Sequence, residues 1–143
     1  MAADTAGGQA GYSGTPLPTK LGIKPGHRVL LAAAPAGFEL GPLPGVEVHH
    51  VPEQAGSAAY DVVLLFVTRR RDPLARLDGL RARLTPAGGL WVVWPKRASG
   101  VPSDLDENVL RDVVLPTGMV DNKVCAVDQT WSGLRFVVRL RHR

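Results

Sequence analysis

Asp61-Val-Val-Leu-Leu-Phe-Val67 and Leu90-Trp-Val-Val-Trp94 decide the fold. Each is a short, unbroken apolar run, the pattern of a strand covered on both faces rather than of a sheet wetted on one side. The chain between them carries helical punctuation. Asp72 suits an N-cap and Pro73 the first helical position. Leu77, Leu80 and Leu84 recur at helical spacing, with Arg76, Arg81 and Arg83 as polar positions, and Pro86 with Gly88-Gly89 is expected to end the helix. Buried strand, helix, buried strand is a βαβ unit, and its strands run parallel.

Upstream, Arg28-Val-Leu-Leu-Ala-Ala-Ala34 is another buried run and Val46-Glu-Val-His-His-Val51 a shorter one. Pro42 and Pro44 restrict any helix between them to about one turn. Residues 1 to 11 are small and polar, which predicts a disordered tail, and Tyr12 to Pro18 reads as a loop with two prolines. Downstream, Asp104 and Glu107 have capping-box spacing and open a helix carrying Leu105, Val109 and Val113, which stops at Pro116-Thr-Gly118. Val120 to Val127 and Leu134 to Leu140 are two strands joined around Asp128 to Gly133. In the second, Leu134, Phe136, Val138 and Leu140 alternate with Arg135, Val137, Arg139 and Arg141, so one face is buried and one wet. The expectation is a single Rossmann-like α/β domain over residues 12–143. Its mostly parallel sheet has about six strands and ends in an antiparallel C-terminal pair.

Composition agrees with one globular domain: 143 residues, 45% hydrophobic and 21% charged. No run reaches the roughly 18 apolar residues of a membrane-spanning helix. One cysteine excludes an internal disulfide and a multi-cysteine zinc site. The start, Met1 to Ala10, has neither a basic segment nor an apolar core, so no signal peptide is read and the cytoplasm is the expected compartment.

The order of elements over residues 20 to 140 resembles the core of S-adenosylmethionine-dependent methyltransferases. The residues that carry this are the lead-in Leu21-Gly-Ile-Lys-Pro-Gly-His-Arg-Val-Leu30, the Asp61 to Phe66 strand, Leu84-Thr-Pro-Ala-Gly-Gly-Leu-Trp-Val-Val93 and the closing strand pair. The resemblance implies an acid and a Gly-x-Gly-x-Gly turn at the end of the first strand, where glycine lets the backbone approach the cofactor. Aligned on Arg28-Val29-Leu30, the acid position holds Leu31, the first two glycine positions hold Ala33 and Pro35, and only Gly37 matches. The family's first helix has no room before Val46, and its third strand with the preceding helix is absent between Val51 and Asp61. Glu53 is the sole acid near the end of the second strand.

The chain also resembles a family of small bacterial proteins of unknown function. The shared stretches are Tyr12-Ser-Gly-Thr-Pro-Leu-Pro18, Lys20-Leu-Gly-Ile-Lys-Pro-Gly-His-Arg-Val29, Trp94-Pro-Lys96, Ala98-Ser-Gly-Val101, Asp121-Asn-Lys-Val-Cys-Ala-Val-Asp128 and Trp131-Ser-Gly-Leu-Arg135.

Ligands of open α/β sheets sit outside the carboxyl ends of the strands. That rule gives a candidate rim of Gly37, Thr68, Lys96, Asp128 and Trp131 for an undefined small molecule or protein. Lys96, Ser99, Asp104, Asp121, Asn122 and Lys123 include possible acids and bases, yet Asn122 and Lys123 on one strand point to opposite faces, and no catalytic set is read. His49 and His50, adjacent on a strand, do not chelate, and no metal site is expected. Cys125 has no activating base in sequence and reads as an inert thiol. The net charge of +4 and the arginines at 69–71, 135, 139, 141 and 143 suit phosphate contacts, but no nucleic-acid motif accompanies them, and nucleic acid is not the expected partner. With the glycine turn lost, no cofactor is predicted. The leading expectation is a non-catalytic binding or regulatory domain. The alternatives are an active transferase with an altered cofactor site and a weak nucleic-acid binder.

Overall fold

The computed structural model describes residues 15–51, 56–71 and 76–140. Its centre is one six-stranded sheet. The strands are β1 (Arg28–Ala32), β2 (Glu47–His49), β3 (Tyr60–Phe66), β4 (Leu84–Pro95), β5 (Met119–Ala126) and β6 (Trp131–Val138), in the order β2-β1-β3-β4-β6-β5. The first four are mutually parallel, and β6 pairs antiparallel with both β4 and β5. The expected single α/β architecture with its closing antiparallel pair is therefore the observed one. The 1–11 tail lies outside the described residues.

Among the described residues, α-helical segments that flank the sheet are α1 (Leu17–Lys20), α2 (Leu77–Ala82) and α3 (Glu107–Val114). Helices α2 and α3 cover one face. There Leu77, Leu80, Leu110, Val113 and Val114 pack on Leu30, Val63, Leu65, Leu90, Val92, Leu134 and Phe136. Burying side chains of this size contributes about 1.5–3 kcal/mol each. The opposite face holds Val29, Leu31, Val62, Leu64, Phe66, Trp91 and Val93, covered by α1, by Leu21 and Ile23 after it, and by Phe38, Leu40 and Leu43 of the β1–β2 loop.

The boundaries depart from expectation in four places. Leu84 begins β4 instead of extending the helix, because its backbone pairs with Tyr60; the register then jumps, so that Val62 faces Gly89 and the intervening Thr85 to Gly88 forms a tight excursion inside β4. Asp72 and Pro73 lie outside the described residues. The cap of α3 is Asp106, whose Oδ1 accepts from the Val109 N–H at 2.8 Å, while Asp104 accepts from the Arg70 N–H at 2.8 Å and stays outside the helix with Leu105. Residues 17–20 form a helical turn despite Pro18, since proline is tolerated in a first turn. Leu140 falls beyond the end of β6 and is 79% exposed, so the buried alternation stops at Val138.

Helix α3 is tied to the sheet edge by Arg111, which donates to Asp121 Oδ2 of β5 at 3.0 Å and to Glu107 Oε2 one turn back at 3.2 Å. Asp121, as the main partner, raises the Arg111 pKa above its ordinary value. At the other edge His49 is buried between Tyr60 Oη, 2.9 Å from Nδ1, and Glu47 Oε2, 2.7 Å from Nε2. Arg28 donates from Nε to the same Glu47 oxygen at 2.8 Å and holds that carboxyl below the usual carboxylate range. His49 is thus a core histidine with both nitrogens engaged.

Candidate functional site

The carboxyl ends of β1, β3 and β4 open on one rim. Where β1 leaves the sheet, Ala33 has φ 60°, the only left-handed residue other than glycine among those described. Such a conformation costs an L-residue about 1–2 kcal/mol. It falls at the position aligned with the first glycine of the methyltransferase turn. Gly37, four residues on, is also left-handed at φ 82°, and a Cβ built on it meets nothing within 4 Å. Ala33 thus takes the left-handed backbone that glycine favours while carrying a methyl group. No acid closes β2 among the described residues, since His49 stands at its end, and Glu53 lies outside them.

An aromatic row runs along this rim. Phe38 meets Phe66 edge-on with ring centres 4.8 Å apart, and Phe66 meets Trp131 at 5.2 Å, also edge-on. Phe66 ends β3 and Trp131 begins β6, so the row bridges from the β1–β2 loop to the antiparallel pair. Phe38 and Phe66 were not singled out from the sequence. The signal available was an aromatic directly after Gly37 and another at the last position of the longest buried run.

The five rim residues expected from the sequence all come to this end of the sheet. Lys96, Asp128 and Trp131 are joined by main-chain bonds: the Lys96 N–H donates to the Thr130 carbonyl at 2.8 Å, and Asp128 Oδ1 accepts from the Thr130 and Trp131 N–H groups, each at 2.8 Å. One Asp128 oxygen therefore holds the β5–β6 turn. Gly37 adjoins the aromatic row through Phe38, and Thr68 follows Phe66 by two residues. Beyond Thr68, Arg69, Arg70 and Arg71 with Asp104 line a cavity of about 410 Å³.

Arg141 and Arg143 lie outside the described residues, and the described members of the arginine set do not form one surface. Arg69 to Arg71 stand at the rim. Arg135 lies in mid-sheet, paired with Trp91 and crowding the space above Gly89. Arg139 is held at the far end, its N–H bonded to the Gly118 carbonyl at 3.2 Å. Of the polar candidates, Lys96 and Ser99 share the β4 exit, where Ser99 Oγ donates to the Lys96 carbonyl at 2.6 Å, and Asp121 is engaged by Arg111. Among the described residues, no group of three His, Cys, Asp or Glu side chains could hold a metal ion, and no helix is long and apolar enough to cross a membrane. Burial is the main influence on Cys125 and pushes its thiol pKa up, against the opposing pull of Lys20 and Lys123.

No family model matches the chain, and no curated protein does. Solved structures do. The chain resembles a SAM-dependent methyltransferase from Aquifex aeolicus with TM-score 0.60 and 19% identity, over 84% of this chain and 87% of that one. It resembles Aeropyrum pernix fibrillarin, in complex with natively bound S-adenosyl-L-methionine, with TM-score 0.54 and 13% identity, over 86% and 69%. Magnesium protoporphyrin IX methyltransferase from Synechocystis, with bound SAH, matches with TM-score 0.50 and 13% identity, over 80% and 74%. At these identities the likeness is one of fold, that of a Rossmann-like methyltransferase core. The expectation of no cofactor is overturned by the same finding, because solved structures of this fold include a SAM-dependent methyltransferase and two proteins that hold SAM or SAH.

Proposed function

We propose that the rim at the carboxyl ends of β1, β3 and β4 binds an S-adenosyl nucleotide, and that the protein is a transferase of the methyltransferase class with a rebuilt cofactor turn. The observation that carries this reading is the left-handed backbone at Ala33. Strained residues persist where the surrounding structure demands them, and they gather at ligand clamps. A turn with no remaining use would relax once its glycine was replaced. This favours the altered-site transferase over the non-catalytic domain.

The residues present fit such a ligand in part. Ala33, Ala36 and Gly37 are exposed and present at most a methyl group, so a nucleoside can approach the main chain. The row of Phe38, Phe66 and Trp131 supplies an aromatic surface beside them, and planar bases favour stacking on such surfaces. Pro35 has no N–H to donate. Among the described residues the end of β2 presents His49, occupied by Tyr60 and Glu47, and Glu53 beyond it lies outside them. S-adenosylmethionine supplies a methyl group on a positive sulfur, an electrophile that needs little from the protein beyond alignment with an acceptor.

The test is thermal unfolding with S-adenosylmethionine and with SAH. Ligand at about a hundredfold over its dissociation constant should stabilise by roughly 2.7 kcal/mol. Ala33→Gly should raise stability by about 0.5–1 kcal/mol and keep binding, because glycine adopts the left-handed turn without strain. Ala33→Val should lose both. An unchanged melting curve with either nucleotide defeats the proposal.

A further inference from the structure

The chain that leaves β3 carries three consecutive arginines, and the sheet decides where they stand. Beyond its last residue β3 still bonds to β4, the Val67 N–H donating to the Val93 carbonyl at 2.9 Å. The chain then departs at Thr68 and delivers Arg69, Arg70 and Arg71 to the rim, shortly after Phe66 of the aromatic row. Asp104 fixes their place. Its Oδ1 accepts from the Arg70 N–H at 2.8 Å, which draws the stretch before α3 across the β3 exit. Asp104 is released for this because Asp106 caps α3. Together Asp104 and the three arginines line the cavity of about 410 Å³.

Among the described residues the charge in this cavity does not balance. Three guanidiniums stand against one carboxylate, and that carboxylate serves the main chain. Arg69 makes a further interaction. The Arg70 and Arg71 side chains are exposed and, among the described residues, form no hydrogen bond or ion pair; the ion pairs lie elsewhere, joining Arg28 and His49 to Glu47 and Arg111 to Glu107 and Asp121. Arginines on a convex surface are solvated one by one. Here they are gathered round a concavity at the rim, where charges of one sign focus their field on an incoming anion.

We infer, resting on the reading of the rim as an S-adenosyl site, that this cavity holds a phosphate group of the acceptor molecule, so that the substrate is a compact phosphorylated compound. A guanidinium presents a planar fork that takes two oxygens at once. Arg70 and Arg71 together match the three terminal oxygens and about two charges of a phosphomonoester, whereas a carboxylate, with one charge and two oxygens, is met by a single arginine. The basic surface does not continue as a track, because Arg135 lies in mid-sheet and Arg139 is held at the far end of β6. That favours a compact ligand over a polynucleotide.

The experiment is titration of the full chain at low salt with inorganic phosphate, acetate and a single-stranded oligonucleotide, followed by amide chemical shifts, with and without saturating SAH. Phosphate should saturate and move the amides of residues 69–71 and 104. Arg71→Gln should weaken it about tenfold or more, through one lost charge-assisted pair. Arg139→Gln removes the same unit of charge at the far end of β6 and should leave phosphate affinity unchanged. Melting curves for both variants confirm folding. Equal loss in the two variants would reduce the effect to net charge and overturn the inference, as would acetate binding as tightly as phosphate. An oligonucleotide that binds more tightly, with a salt slope exceeding about two phosphate contacts, would put a polymer in place of the compact substrate and overturn it too. Phosphate should still bind when SAH is present, because cofactor and acceptor must be held together; competition between them would overturn the acceptor role. Phosphate binding at residues 69–71 with no response to SAH would defeat the S-adenosyl reading and the acceptor role with it. SAH binding with no phosphate response would defeat the phosphate site and leave the S-adenosyl reading standing.

Discussion

The two faces of the sheet are built differently. One is closed by α2 and α3 over a continuous apolar cluster, with Asp106 capping α3 and Arg111 pinning it to β5. The other has, among the described residues, one four-residue helix, a proline-rich loop and a few long-range polar bonds, among them Trp91 Nε1 donating to the Leu21 carbonyl at 3.1 Å. Gly133 belongs to this second face: a Cβ there would stand 3.0 Å from the Trp91 ring and 3.3 Å from Val127. The first face is held by helices that cover it; the second is held by individual side chains that reach across it. Where the described residues supply no long covering helix, the sheet is more thinly roofed, and the rim with its aromatic row borders this thinner side.

The largest expected effect sets one face against the other. Trp91→Ala should cost about 3–5 kcal/mol and also release the α1 segment, seen as rapid proteolysis near Lys20 and Lys24. Leu110→Ala, beneath α3, should cost about 2–5 kcal/mol in urea unfolding and leave α1 docked. Equal protection of α1 in the two variants would break the comparison. Next is Tyr60→Phe, which strips the hydroxyl from buried His49 and should cost about 1–3 kcal/mol. A wild-type unfolding midpoint would mean that the polar group enclosed within the helical side adds nothing. The smallest is Asp106→Ala, expected to cost about 1 kcal/mol through the lost N-cap, with hydrogen exchange accelerated in the first turn of α3 alone.

Much of this contrast was legible before any coordinates. Unbroken apolar runs such as Val62 to Phe66 declare strands buried on both sides, and strand–helix alternation then makes them parallel. Boundaries were harder. Leu84 continues the spacing of Leu77 and Leu80, so only its pairing with Tyr60 reveals a strand. Asp104 and Asp106 are both good caps near Glu107, and the choice was made by a distant partner, the Arg70 N–H that occupies Asp104. The rim was legible because topology alone locates it. The left-handed turn was not, because alanine carries no signal for that backbone and only the surroundings of Ala33 impose it. The bulge in β5 was hidden for a related reason: strict alternation gives no sign of the extra residue Asn122, which leaves Lys123 paired with Arg135.

That same irregularity bears on how the molecule ends. An outermost strand with straight, unpaired main-chain groups is a template for another chain, and such pairing is the usual start of aggregation. Here β5 is kinked at Asn122 and carries an exposed lysine beside the kink, while the opposite border, β2, is three residues long. Neither margin offers a neighbour a long, flat row to copy. A thinly roofed sheet can therefore keep one side accessible for chemistry without inviting its own kind to extend it.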